Sequence, residues 1–284
     1  MDLCNINDIK ELLTRHGFHF SKAKGQNFLT QKWVPQRIAE EAGVDETCGV
    51  LEVGPGMGPL TEQLSLRAGK VVAVELDRNL QPVLAETMAG RDNLEIIFSD
   101  ILKQDIPALV AEKFAGLRRK ACANLPYYIT TEILAALLEA KCFESVTVMV
   151  QKEVAQRICA RPGTAEYGAF TVFCQYYTQP EILFDVPPHC FIPQPKVTSA
   201  VLHLPVRTEP VCPVKDEKLF FRVVRGSFAQ RRKTLVNGLS AVFGNLSKAQ
   251  LQQTIEDCGF APNVRGETLS IPEFAALADR ISAL

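Results

Sequence analysis

Two stretches near the start of the chain carry apolar residues at helical spacing, Ile6 to His16 and Trp33 to Ala42, and each stops at a glycine, Gly17 and Gly43. Between them Lys22 to Leu29 has no periodicity and reads as a loop. The pattern then changes. Short apolar runs at Val50 to Val53, Lys70 to Glu75, Leu94 to Phe98, Ala121 to Asn124 and Val146 to Val150 are each followed by a helical segment. That alternation predicts a parallel sheet covered on both faces, an α/β architecture of Rossmann-like type.

After Pro180 come two more β-rich runs, Ile182 to Val186 and Ala200 to Val206, joined by the proline-rich link Pro187 to Pro195. They predict an antiparallel pair that closes the sheet. A linker with Pro205, Pro210 and Pro213 follows, and beyond it the periodicity is helical to the end. Phe220, Val224, Phe228, Leu235, Leu239 and Val242 form one stripe, with Arg222, Arg225, Arg232 and Lys233 largely on another. The expected division is therefore residues 1–207, with 1–43 as a helical and loop extension, followed by a small all-helical domain over 208–284.

Composition agrees with one large domain and one small one: 284 residues, 47% hydrophobic and 22% charged. No apolar run approaches a membrane span. The first residues, with Asp2, Asp8 and Glu11, lack the form of a signal peptide, so a cytoplasmic protein without membrane contact is expected. The nine cysteines are scattered and never spaced C-x-x-C, which suggests reduced core residues rather than disulfides or a zinc site. His16, His19, His189 and His203 form no ligand cluster, and no metal is expected. The net charge of -1 conceals two basic stretches without acidic residues, Arg15 to Arg37 and Lys218 to Lys233. Taken alone, each reads as a solvated helix face.

The candidate chemistry sits at strand ends. Leu51-Glu52-Val53-Gly54-Pro55-Gly56-Met57-Gly58-Pro59 falls where the first strand of the sheet turns into a helix, and Gly54 and Gly56 permit a tight turn and close backbone approach to a ligand. The G-x-G-x-x-G pyrophosphate fingerprint fails, because position 59 is proline, so a nucleoside without phosphates is the better ligand and a nicotinamide enzyme is disfavoured. Glu75 ends the second strand, where an acid can accept hydrogen bonds from both ribose hydroxyls. Asp100 follows the third, placed for an adenine edge or, equally, for a helix N-cap. In an open α/β sheet these ends converge on one crevice, and S-adenosylmethionine fits it.

Asn124-Leu125-Pro126-Tyr127, followed by Tyr128, ends the fourth strand. An adenine amino nitrogen is a poor nucleophile because its lone pair is delocalised into the ring. The Asn124 oxygen and the backbone carbonyl held by Pro126 can accept both of its N–H bonds and aim the lone pair at a sulfonium methyl, while Tyr127 stacks on the extruded base. A plain turn after a strand is the alternative use of these residues.

These residues resemble the KsgA/RsmA family of small-subunit ribosomal RNA adenine dimethyltransferases. The resemblance runs through Gly25-Gln26-Asn27-Phe28-Leu29, the Gly54 loop, Val74-Glu75-Leu76-Asp77, Asp100, Asn124-Leu125-Pro126-Tyr127, Phe191 to Ser199 and Phe228 to Leu235. It implies a seven-stranded class I methyltransferase domain with a small helical C-terminal domain. It also implies N6,N6-dimethylation of two adjacent adenosines in the 3'-terminal hairpin of 16S rRNA within the immature 30S subunit. Asn27, Leu29, Gly54, Glu75, Asp100 and Asn124 would contact S-adenosylmethionine. Phe191 would help hold the flipped base, a packed crossover between strands being the alternative. Lys22, Lys24, Arg222, Arg225, Arg231, Arg232 and Lys233 become candidate RNA contacts, with a tie between domains as the alternative for Arg231 and Arg232. A monomer is expected. The macrolide-resistance type that dimethylates large-subunit rRNA shares the core motifs, and an assembly factor that only binds subunits is a rival of a different class.

Overall fold

The architecture follows from five parallel strands, four of them largely buried, whose carboxyl ends line up. In a computed structural model that describes residues 1–18, 27–230 and 232–284, the strands in chain order are β1 (Phe28–Leu29), β2 (Cys48–Val53), β3 (Lys70–Glu75), β4 (Leu94–Phe98), β5 (Arg118–Asn124), β6 (Ser145–Gln151), β7 (Glu181–Val186), β8 (Phe191–Ile192) and β9 (Ser199–Pro205). Seven of them form one sheet in the order β4-β3-β2-β5-β6-β9-β7. β2 to β6 are mutually parallel and β7 and β9 form an antiparallel pair, as the sequence predicts, and β9 joins that pair to the sheet by running antiparallel to β6. Every residue of β2 is buried, which fits a central strand covered on both faces. The pairings Val53 with Val74, Val53 with Ala123 and Glu75 with Phe98 bring the strand ends to one edge. The chain leaves β2 for β3 and β4 on one side and returns to β5 and β6 on the other, so that edge holds a topological switch point.

Two compact units divide the chain: residues 1–155 with 181–206, and residues 156–180 with 207–284. The first holds the sheet and the helices α1 (Ile6–Arg15), α2 (Trp33–Glu41), α3 (Pro59–Ser65), α4 (Gln81–Thr87), α5 (Ile106–Lys113) and α6 (Thr130–Glu139), and α7 (Lys152–Ile158) runs on into the second. α1 starts at Asn5, whose side chain accepts from the N–H groups of Asn7 and Asp8, and it buries Ile9, Leu12 and Leu13. Those residues share a core with Phe18, Phe28, Met57, Leu80 and Leu84.

The helical unit contains α8 (Ala169–Tyr177), α9 (Glu217–Ala229), α10 (Leu235–Val242), α11 (Lys248–Asp257) and α12 (Ile271–Ile281). Its extent differs from the division at residue 208: residues 156–180 belong with it rather than with the sheet. The physical reason is aromatic. Tyr167, Val172, Tyr176 and Tyr177 join the core of Phe220, Val224, Leu235 and Leu239, the Tyr176 ring lies 4.9 Å from that of Phe220, and the Tyr177 hydroxyl donates to Glu217 Oε1 at 2.5 Å. A second difference is that Phe28 and Leu29, read as loop, pair antiparallel with Ile192 and Phe191 in a two-stranded ribbon. No helix among the described residues is long and apolar enough to cross a membrane.

Candidate functional site

A cavity opens at the switch point. Its wall takes residues from the ends of four parallel strands and from β1, and it brings together Asn27, Leu29, Gly54, Gly56, Glu75, Asp100, Asn124, Leu125, Pro126 and Tyr127. These are the residues that sequence reasoning singles out, apart from Phe191 and the basic side chains.

Gly54 and Gly56 have φ of +72° and +62°, in the left-handed region that favours glycine. The Gly54 N–H donates to the Val74 carbonyl at 2.9 Å, which holds the turn against β3. A Cβ added at Gly54 would meet no protein atom within 4 Å, so its backbone borders open space in the cavity wall. Glu75, only 6% exposed, accepts from Gly56 N–H at 3.1 Å and from Asp77 N–H at 2.8 Å. Burial pushes its carboxyl above the usual carboxylate range, those two N–H donors pull it back, and the Asp77 carboxylate adds to the upward push. The two bonds fix the carboxyl group and leave acceptor capacity for a further donor. Asp100 accepts from Leu102 N–H at 3.0 Å and so serves as the cap of a 3₁₀ turn over Ile101–Lys103, while still lining the cavity.

Asn124 donates its Nδ2 hydrogen to the Asn27 carbonyl at 3.3 Å. That bond orients the amide and leaves Oδ1 as its acceptor. The turn after it is pinned three ways: Leu125 N–H donates to Met149 O at 3.1 Å, Thr130 Oγ1 to Pro126 O at 3.0 Å and Ile129 N–H to Pro126 O at 3.3 Å. The Tyr127 hydroxyl is 2.5 Å from Ser199 Oγ, and burial raises its pKa against the opposing effect of that bond.

Phe191 is 2% exposed, belongs to the core that contains Leu29, Val186 and Val201, and is not among the residues that line the cavity. It pairs in the β1–β8 ribbon with Leu29, which does line the cavity. Of the candidate RNA contacts, Arg222 is engaged within its own unit, donating to Val242 O at 2.7 Å with its guanidinium 4.4 Å from the Phe243 ring centre. Arg225, Arg232 and Lys233 are exposed, and Lys22, Lys24 and Arg231 lie outside the described residues, as do Gly25 and Gln26. Among the described residues no group of three or more His, Cys, Asp or Glu side chains is placed to hold a metal.

Sequence reasoning missed Glu52. It is 1% exposed near the carboxyl end of β2 and lines the cavity, and its Oε2 has no hydrogen-bond partner among the described residues. Burial, reinforced by the nearby Glu75 and only partly offset by the Thr61 hydroxyl, pushes its pKa up to about 8. The signal was present: a charged residue inside the otherwise apolar run Val50-Leu51-Glu52-Val53.

The site offers what S-adenosylmethionine requires: bare glycine backbone bordering open space at Gly54, a fixed carboxylate at Glu75, and apolar walls at Leu76, Ile101 and Leu102.

Comparison with known proteins agrees with this geometry. The ribosomal RNA adenine dimethylase family matches residues 17–282. A ribosomal RNA small subunit methyltransferase A from Geobacillus thermodenitrificans is 46% identical, covering 100% of this chain and 98% of the relative. One of the same name from Shouchella clausii is 47% identical over 95% and 92%. Among solved structures, the 23S rRNA methyltransferase ErmE has a TM-score of 0.67 at 27% identity, over 90% of this chain and 100% of the other. A dimethyladenosine transferase from Plasmodium falciparum has a TM-score of 0.72 at 24% identity, over 88% and 95%, a likeness of fold. With a family match over residues 17–282 and relatives of 46% identity along the chain, the chain belongs to the ribosomal RNA adenine dimethylases, enzymes that methylate rRNA.

Proposed function

We propose that this enzyme transfers methyl groups to N6 of two adjacent adenosines in the 3'-terminal hairpin of 16S rRNA, acting on the immature 30S subunit in the cytoplasm as a monomer. The single observation that carries the reaction type is the Asn124 amide: with Nδ2 held by Asn27, its Oδ1 is an acceptor in the cavity that also holds Glu75 and Asp100. The small-subunit assignment is supported by relatives of 46% identity along the whole chain that bear that name.

S-adenosylmethionine supplies an electrophilic methyl on its sulfonium, and no metal takes part. Glu75 would accept from the ribose hydroxyls and Asp100 from the adenine edge, and the Gly54 backbone would let the donor approach the loop. Asn124 Oδ1 and the Leu125 carbonyl accept the two N–H bonds of the target amine, which localises its lone pair toward the methyl. Tyr127, held by Ser199, presents a ring for the extruded base. The enzyme's contribution is orientation of two reactants for an in-line displacement. The exposed Arg225, Arg232 and Lys233 supply phosphate contacts that position structured RNA without reading its sequence.

The test is methyl transfer from labelled S-adenosylmethionine to unmethylated small subunits and, separately, to large-subunit rRNA, with the modified nucleoside located by mass spectrometry. Dimethyladenosine at the paired adenosines of the small-subunit hairpin is the expected product. Label confined to large-subunit RNA would reassign the substrate. The Asn124→Ala variant should fold and bind donor yet transfer no methyl, and normal activity in it would refute the assigned chemistry.

A further inference from the structure

Exposed large hydrophobic side chains are scattered over the described residues, but three of them, Leu76, Leu102 and Tyr128, line the same cavity. Their positions differ. Leu76 follows β3 and Leu102 follows β4, on the side of β2 where Glu75 and Asp100 stand. Tyr128 follows β5, on the other side, next to the Asn124 amide that receives the target amine. The two leucines are accounted for by the adenosine half of the donor. Tyr128 is not.

Tyr127 and Tyr128 are adjacent but are held differently. Tyr127 is half-buried with its hydroxyl on Ser199. Tyr128 is 56% exposed, and its ring and hydroxyl make no hydrogen bond or aromatic contact among the described residues. It is not carried on a loose loop: the 3₁₀ turn Tyr127–Ile129 that bears it is fixed by the Pro126 carbonyl, which accepts from Ile129 N–H and from Thr130 Oγ1. A rigidly mounted aromatic face at a cavity mouth is a stacking platform at low entropic cost, because the ring is already in place.

We infer that Tyr128 is a positioning residue for RNA, a platform on which the nucleobase flanking the target adenosine stacks, set beside the Asn124 amide on the pinned turn after β5. This rests on the reading of the cavity given above. Extruding one adenosine deprives its neighbour of a stacking partner, and an exposed ring at the mouth restores one. The partner is the π-face of a base in single-stranded or splayed RNA, and sequence preference at that nucleotide should be weak, because every base has such a face.

The experiment compares the full-length wild type with Tyr128→Ala, Tyr128→Phe and Tyr128→Trp. It measures KM for unmethylated small subunits and kcat at saturating S-adenosylmethionine, together with affinity for S-adenosylhomocysteine by calorimetry. Loss of the ring should raise KM by roughly 5- to 150-fold, with kcat and S-adenosylhomocysteine affinity within about twofold of wild type. Phe and Trp should restore KM. Unchanged KM in Tyr128→Ala would overturn the inference. So would a Phe variant as impaired as Ala, which would make the hydroxyl the working group. Weakened S-adenosylhomocysteine binding in step with KM would also overturn it, by assigning the ring to the donor. A wild type that methylates no small subunits would instead defeat the functional reading, and the wild-type arm detects that before any variant is compared.

Discussion

Replacing Glu52 by glutamine should change how stability depends on pH. An ordinary glutamate titrates near 4.5, and in the folded protein Glu52 is held up to about 8 by burial in β2 with Oε2 unpartnered. Between those values the unfolded chain has released this proton and the folded protein still binds it, so raising the pH favours unfolding. Each pH unit across the window costs about 1.4 kcal/mol. From 4.5 to about 8 the accumulated penalty approaches roughly 5 kcal/mol, and it levels off above the folded value. Glutamine keeps the shape and cannot ionise. The difference in unfolding free energy, Glu52→Gln minus wild type, should therefore be within about 1 kcal/mol at pH 5 and rise to about 3–5 kcal/mol in favour of the variant by pH 8. Urea denaturation of both proteins at pH 5, 6, 7, 8 and 9 measures it, and subtraction removes every group the two share. A difference that stays flat across this range, or falls, would refute the reasoning.

Two further substitutions probe the cavity and the helical unit. Glu75→Gln keeps an oxygen acceptor but loses the charge that strengthens a hydrogen bond to a hydroxyl, so S-adenosylhomocysteine affinity should fall about 10- to 100-fold in calorimetry; undiminished binding would remove Glu75 from the donor site. Gly238→Ala places a Cβ 2.4 Å from the Gly226 carbonyl oxygen where α10 meets α9. The better helix propensity of alanine recovers only part of that clash, and a net loss of about 1–3 kcal/mol is expected in a denaturant titration.

Much of the sheet was legible because its signals are local. β3 and β4 have the predicted bounds, and the antiparallel placement of β7 and β9 follows from the proline-rich link between two β-rich runs. The strand ends then had to converge, so Gly54, Glu75, Asp100 and Asn124 could be assigned to one crevice before any geometry was known. What escaped was non-local. The β1–β8 ribbon has two residues on each side, too few for any periodicity, and its partners are more than 150 positions apart. α8 carries Tyr176 and Tyr177, whose aromatic partners Phe220 and Phe221 lie beyond the next two strands of the sheet, so proximity in sequence pointed to the wrong unit. Phe191 was placed at the site by resemblance, and its burial could not be read from a loop dominated by prolines.

The same contrast bears on how RNA choice is encoded. ErmE acts on 23S rRNA, and its fold matches this one at a TM-score of 0.67, so the seven-stranded sheet cannot by itself select the small subunit. On the function proposed above, Gly54, Glu75 and Asp100 serve the donor and Asn124 serves the target amine, and neither task depends on which RNA carries that amine. Selection must therefore come from surfaces that meet the RNA outside the reacting atoms. On the same proposal, phosphate contacts from exposed basic side chains such as Arg225, Arg232 and Lys233 would fix where a folded RNA sits, without reading bases. Substituting them together should raise KM for subunits and flatten its salt dependence while leaving donor affinity unchanged. Removing Tyr128 should raise KM with the salt dependence intact, because stacking releases no counterions. Salt titration of KM thus separates what positions the RNA from what holds the base beside the target.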